Sequence, residues 1–216
     1  MKNSRNRYFI VINLLIFVFA LIAVPVSLTV GSRSSRLDHL TMPHWQHIVT
    51  FTLLSNIFLS ITALVTAIIK MRRKNTPPSL DTWYLTAATA GMITFLTVVL
   101  FLAPMRAMNG KDYFDLLLEP MFFLHFLNPV LAAISFMFLL KDHKTTLNSR
   151  LIAMLPILIY AIPYVLFVVI LQIWPDFYGL TFGGKYYLMP LVFAVFSLIS
   201  FLIASVLSYF HNKNQQ

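Results

Sequence analysis

Phe122–Val130 reads FFLHFLNPV: a histidine among phenylalanines and leucines, with a proline four residues on. The stretch lies in an apolar run, roughly 120–140, about as long as the 20 or so residues that cross a hydrocarbon core. Five more runs share this character, at roughly 8–30, 47–69, 83–104, 151–173 and 187–210. They set the composition: 59% of the 216 residues are hydrophobic and 11% are charged, against about 25% charged in a soluble globule. The sequence therefore predicts an all-α polytopic integral membrane protein, a single six-transmembrane-helix bundle over residues 1–216. The first run follows the basic stretch MKNSRNR. It is longer than the ~7–15 residues of a cleaved signal core, so it reads as an uncleaved helix.

The charges are informative through their placement. Of the 16 Lys and Arg residues, eleven fall at the N-terminus, between runs two and three, between runs four and five, and at the C-terminus. Five fall in the alternate loops. Positive-inside bias then expects both termini in the cytoplasm. The net charge of +9 reports topology and not nucleic acid, since no basic stripe alternates with aromatics. Trp45, Trp83 and Trp174 fall near run ends, where aromatic belts sit. The absence of cysteine excludes a disulfide framework, a Cys-ligated metal and a thiol nucleophile.

Within the runs, His125 is the one ionisable residue, tyrosines aside, that reads as deeply placed. Such a residue marks either a functional site or an interfacial or helix-bridging role. Pro129 has no N–H, so the carbonyl four residues earlier, that of His125, is expected to lose its helical donor. Asn128 shares much the same face. Run two offers a matching set in FTLLSN, where Thr52, Ser55 and Asn56 lie at helical spacing. Small polar residues also commonly pack membrane helices, and that reading stands beside the functional one. Thr52 and His125 each lie five residues inside their runs, about 7 Å below the same boundary at ~1.5 Å per residue. If the two helices are neighbours, a hydroxyl and an imidazole meet, the minimum for nucleophilic acyl transfer.

Other features are weaker. His39, His44 and His47 crowd one outer loop with only Asp38 nearby; interfacial histidines are expected there, and no metal. Asp112, Asp115 and Glu119 precede run four, and Glu119-Pro120 reads as a helix start. Ala87 and Gly91 form a small-residue pair for close packing. NTPPSLDT (75–82) reads as a turn. Pro156 and Pro163 kink run five, placing Tyr160 and Tyr164, with Pro129, as cavity-lining candidates. WPDFYGLTFGGKYY (174–187) reads as a lid, a lipid passage or an interfacial loop. A haem carrier would need paired deep histidines, and a proton-coupled transporter usually carries membrane carboxylates; neither pattern is read here.

FTLLSN at the start of run two, LHFLNP in run four and WPDFYG after run five occur in that order. Together they resemble the androgen-induced integral-membrane hydrolases and their bacterial relatives, over roughly 45–210. The resemblance implies a threonine nucleophile at Thr52 and a histidine base at His125. It also implies cofactor-free hydrolysis of esters joining a fatty acid to a hydroxy fatty acid. Ser135-Phe136 stands where the bacterial branch often has an acidic residue followed by Trp, and MNGKDYFD is an extra stretch. On this expectation Asn56, Asn128 and Ser55 are supporting or oxyanion candidates. The substrate is a membrane-dissolved lipid ester, and the site faces the outer leaflet of the cell membrane. The alternative is a non-catalytic membrane scaffold or lipid-binding protein.

Overall fold

The computed structural model describes residues 2–29, 44–73, 75–110, 112–118, 121–176 and 178–215. Among these the chain is helical, with no strand. The rods are α1 (Lys2–Thr29), α2 (Phe51–Arg72), α3 (Pro78–Met108), α4 (Phe123–Leu139), α5 (Leu147–Ile170) and α6 (Met189–Lys213). All but α4 are long and apolar enough to cross a membrane, the character of a membrane protein; α4 is shorter.

Several rods depart from the bounds of their apolar runs. The Thr146 side chain accepts from the Ser149 amide in a capping box that starts α5 four residues before the expected boundary. Thr50 caps α2. α1 begins at Lys2, well before residue 8. The stretch expected as a turn, 75–82, is helical from Pro78, since proline suits a first helical turn. Residues 119 and 120, read as a helix start, and His39 lie outside the described residues.

α3 is the central rod and packs against α2, α4, α5 and α6. The reason lies in its composition. From Tyr84 to Ala90 it reads YLTAATA, and every one of these residues is fully buried. Small residues let neighbouring backbones approach, which is how membrane helices gain packing energy without a hydrophobic drive between them. Gly91 continues the stripe: a Cβ there would come within 3.3 Å of Leu59 Cδ2 and 3.5 Å of Pro129 Cα. Beside it, Asn13 of α1 donates to Ser135 Oγ at 2.8 Å and accepts from Tyr84 Oη at 2.5 Å. Asn13, Ser135 and Tyr84 thus satisfy one another, whereas Thr89 Oγ1 in the same stripe has no partner among the described residues.

Two prolines shape the rods through one device. In α4 the amide of Asn128 reaches back five residues to Phe123 O, making a π turn over Phe123–Leu127. Pro129 follows. In that register the missing N–H would have faced the Leu124 carbonyl, whereas the α-helical count points to that of His125. In α3 the amide of Ala103 reaches Val98 O just before Pro104, which frees Val99. Side chains fill both gaps: Asn56 Nδ2 donates to Leu124 O at 2.9 Å, and Tyr113 Oη to Val99 O at 2.8 Å.

The rod ends nearest the chain termini carry a polar network that the sequence reading treated as loop. Lys70, buried in α2, pairs with Asp142 at 2.6 Å. Thr76 gives its amide (2.6 Å) and hydroxyl (2.7 Å) to the other Asp142 oxygen, and its hydroxyl also meets Asp81. His211 is fully buried, its Nδ1 2.9 Å from Phe136 O and its Nε2 2.8 Å from His143 O, with its ring stacked on Phe136. His125 is therefore not the only deeply placed ionisable side chain, and Asp81, buried in the first turn of α3, is a carboxylate within a rod.

Candidate functional site

The N-terminal turns of α2 carry Thr52, Ser55 and Asn56 at i, i+3 and i+4, one helical face. Ser55 Oγ lies 3.1 Å from Thr52 O and 3.0 Å from Thr94 Oγ1 of α3. Asn56 Nδ2 donates to Thr52 O and to Leu124 O, both at 2.9 Å. Two oxygens bound to one nitrogen lie no more than twice that distance apart. The backbone at Thr52 and the backbone beside His125 therefore meet at one depth, and α2 and α4 are neighbours.

His125 is buried, at 7% exposure. Its Nδ1 lies 2.7 Å from Leu116 O, in the 3-10 turn Tyr113–Leu117 that Asp112 caps. A carbonyl oxygen only accepts, so Nδ1 carries the proton and Nε2 keeps the lone pair. Sequence reasoning passed over this partner, because the supporting group is a backbone oxygen in a loop. Asn128 is fully buried, and neither its Nδ2 nor its Oδ1 has a partner among the described residues; Asn56 Oδ1 is in the same condition. Buried amide atoms without partners are uncommon. Asn56 has both amide hydrogens committed, whereas Asn128 still has a donor to offer.

Thr52 does not hydrogen-bond His125 directly. Its side chain lines an apolar cleft between α2, α3, α5 and α6, with Ile93, Val98, Ile157 and Phe193 among the walls and Thr94, Thr97 and Tyr160 as polar points. His125 is not part of that lining, and neither are Pro129 and Tyr164. Pro129 instead abuts Gly91, and Tyr164 donates to Asp176.

Tyr178, from the stretch WPDFYG, and Leu180 just beyond it also line the cleft. Asp176 accepts from the amides of Leu180 (2.9 Å) and Thr181 (2.8 Å) and from Thr181 Oγ1 (2.6 Å), which folds the loop into a tight turn. Burial alone would raise its carboxyl, but the hydrogen bonds of Thr181 and Tyr164 outweigh that and hold it below the ordinary value. The turn delivers Tyr178 to the start of α2, where its Oη accepts from the Phe51 amide at 2.9 Å and lies beside the Thr52 hydroxyl. Burial pushes this phenol up, so it stays protonated. Sequence reading had the motif but gave Tyr178 no role; the Asp–x–Tyr–Gly spacing is the signal that would have suggested one. Of the histidines expected in an outer loop, His47 sits in the 3-10 helix His44–Val49. Among the described residues no group of three potential metal ligands occurs. Compared with protein-family models, with curated proteins and with solved structures, the chain matches none.

Proposed function

We propose that the protein is an intramembrane hydrolase of lipid esters, fatty acid esters of hydroxy fatty acids or similar, with Thr52 as nucleophile and His125 as general base. The contact between His125 Nδ1 and Leu116 O carries this reading. It leaves Nε2 as the proton acceptor, the form a base needs if it is to activate a threonine alcohol. Nε2 takes the proton of Thr52 as Oγ1 bonds to the ester carbonyl. The tetrahedral intermediate then breaks its bond to the leaving alkoxide, which receives that proton from His125. Water, deprotonated by the same nitrogen, attacks the acyl-threonine carbonyl; the bond to Oγ1 breaks, the proton passes from His125 to Thr52, and the fatty acid is released. Asn128 Nδ2 is the donor assigned to the oxyanion, since it has no other partner. The reaction requires Thr52 to turn from Tyr178 towards His125 when an ester fills the cleft; catalytic pairs are often loose without substrate.

The same proposal places all six rods across the membrane, both termini in the cytoplasm and Thr52 towards the outer leaflet. Support comes from the eleven-to-five division of basic residues. The chain lacks cysteine, so Ser79→Cys and Lys185→Cys test it directly. An impermeant maleimide on intact cells labels only the second if the orientation is right.

A second reading, a lipid-binding protein without catalysis, is favoured by one observation: Thr52 and Tyr178 line the apolar cleft together, and His125 does not line it. Reconstituted protein offered a fatty acid ester of a hydroxy fatty acid separates the two. The hydrolase releases free fatty acid and His125→Ala does not. Saturable uptake of intact ester without turnover in the wild type supports the second reading.

A further inference from the structure

The end of the bundle that carries the termini holds a pocket unrelated to Thr52. It lies between the start of α5 and the last turns of α6. Lys144, Arg150, Lys213, Ser205, Ser208, Tyr209 and Asn212 line it. Three of these are cations, and no carboxylate lines it among the described residues. Lys213 is held over the Tyr209 ring, 5.9 Å from its centroid. Ser208 is 2% exposed and its Oγ has no partner; Ser205 Oγ and Arg150 Nε are likewise buried and without partners. Orphaned donors at one place are costly unless something accepts from them. Every orphan here can donate, and the surrounding charge is positive. The lining therefore fits an anion rich in acceptor oxygens.

The walls of this pocket are fixed. Asn212 Oδ1 accepts from the Thr145 amide at 2.9 Å, and its Nδ2 donates to Thr145 O at 3.0 Å. That pair binds the end of α6 to the segment leading into α5, so the cations and hydroxyls are held in register before any ligand arrives. Towards the bundle's middle, the same two helices expose Leu151, Leu202 and Val206, each about half or more accessible. A polar, cationic pocket thus continues into an apolar track along α5 and α6. A soluble phosphate gains nothing from that track; an acyl chain does.

We infer that this pocket binds the phosphate-bearing headgroup of an anionic membrane lipid, with an acyl chain lying against Leu151, Leu202 and Val206. In the proposed orientation it faces the inner leaflet, where anionic headgroups gather and basic pockets between helices hold them.

The test is lipid retention on the intact protein in detergent, read by native mass spectrometry during titration with phosphatidylglycerol or phosphatidylcholine. Phosphatidylglycerol should be retained in preference. Lys144→Gln with Arg150→Gln should weaken that retention about twenty-five-fold, at about five-fold per cation near a lipid surface. Ser208→Ala, which removes only the buried hydroxyl, should weaken it several-fold and serves alone if the double variant fails to fold. Inorganic phosphate and glycerol 3-phosphate should not displace the lipid at matching concentrations. Equal retention of the two lipids, or unchanged retention in Ser208→Ala and the double variant, would overturn the inference. Displacement by either soluble phosphate at the lipid's own concentration would also overturn it, in favour of a water-soluble anion.

Discussion

Asn56 Nδ2 gives a hydrogen bond to the carbonyl of Leu124, 2.9 Å away, at the point where Pro129 leaves α4 without a backbone donor. One side chain of α2 thereby sets the height of α4, and with it the height of His125. Asn56→Ala removes the donor and leaves a buried carbonyl unpaired. The cost should be about 1–3 kcal/mol, seen as a lower unfolding temperature in detergent, with loss of ester hydrolysis as His125 shifts. An unchanged unfolding temperature would mean that another group reaches Leu124.

Pro129→Ala provides the matching test. A new amide at 129, in the π register, points at the same Leu124 carbonyl and competes with Asn56. The two substitutions should therefore couple. Asn56→Ala should destabilise the Pro129→Ala protein by clearly less than it destabilises the wild type. Strictly additive costs would show that proline and amide do not share that oxygen. Activity should fall in Pro129→Ala while the protein still elutes as a single species.

These two residues also show where sequence reading stops. The apolar runs and the proline's effect were legible, because membrane length and a missing N–H follow from composition. The identity of the freed carbonyl was not. It depends on an i−5 rather than i−4 bond, a choice made by packing against α2 and α3. Thr52 and His125 were placed at one depth by counting residues from run ends. The Leu116 carbonyl and the Tyr178 hydroxyl that occupy them come from loops, whose positions no helical periodicity encodes. Lys70, Asp81 and His211 were misjudged for a related reason. Hydropathy ends a segment at its first charge, whereas the chain buries Lys70 against Asp142, Asp81 against the Thr76 hydroxyl and His211 against two backbone carbonyls.

The Lys70–Asp142 pair predicts an acid limb in stability. Burial tends to raise the Asp142 carboxyl, yet hydrogen bonds from Lys70 and Thr76 outweigh this and hold it below its ordinary 3.8. A carboxyl depressed on folding stabilises above its unfolded value, and that contribution is lost as pH falls through the lower folded one. Unfolding temperature should therefore fall below about pH 4. Asp176, also depressed, adds to the same limb. Asp142→Asn should shrink the limb and destabilise at neutral pH by about 3–5 kcal/mol, because buried Lys70 loses the carboxylate it meets at 2.6 Å. Lys70→Met combined with Asp142→Leu should recover part of that loss. A double variant less stable than Asp142→Asn would contradict the account.

Asp176 predicts a local effect at the other end. Asp176→Ala removes the acceptor for two amides, the Thr181 hydroxyl and Tyr164. Hydrogen exchange should rise at Leu180 and Thr181, and also at Phe51, whose amide depends on Tyr178 being delivered by that turn. Protection unchanged at Phe51 would show that Tyr178 is held independently of the loop.

The central claim, that Thr52 attacks and His125 takes its proton, is met most directly by covalent labelling. A fluorophosphonate carrying an acyl chain, offered to the reconstituted protein, traps an activated alcohol at the oxygen that attacks. Wild type should be labelled, and peptide mapping should place the adduct on Thr52. Thr52→Ser, which keeps an oxygen, should retain part of the labelling; His125→Ala should lose about 10²–10⁴-fold of its rate with unchanged expression. Thr52→Ala should show no adduct and no hydrolysis. Full labelling or full hydrolysis in folded Thr52→Ala would contradict the account and leave the cleft as a lipid-binding site without a nucleophile.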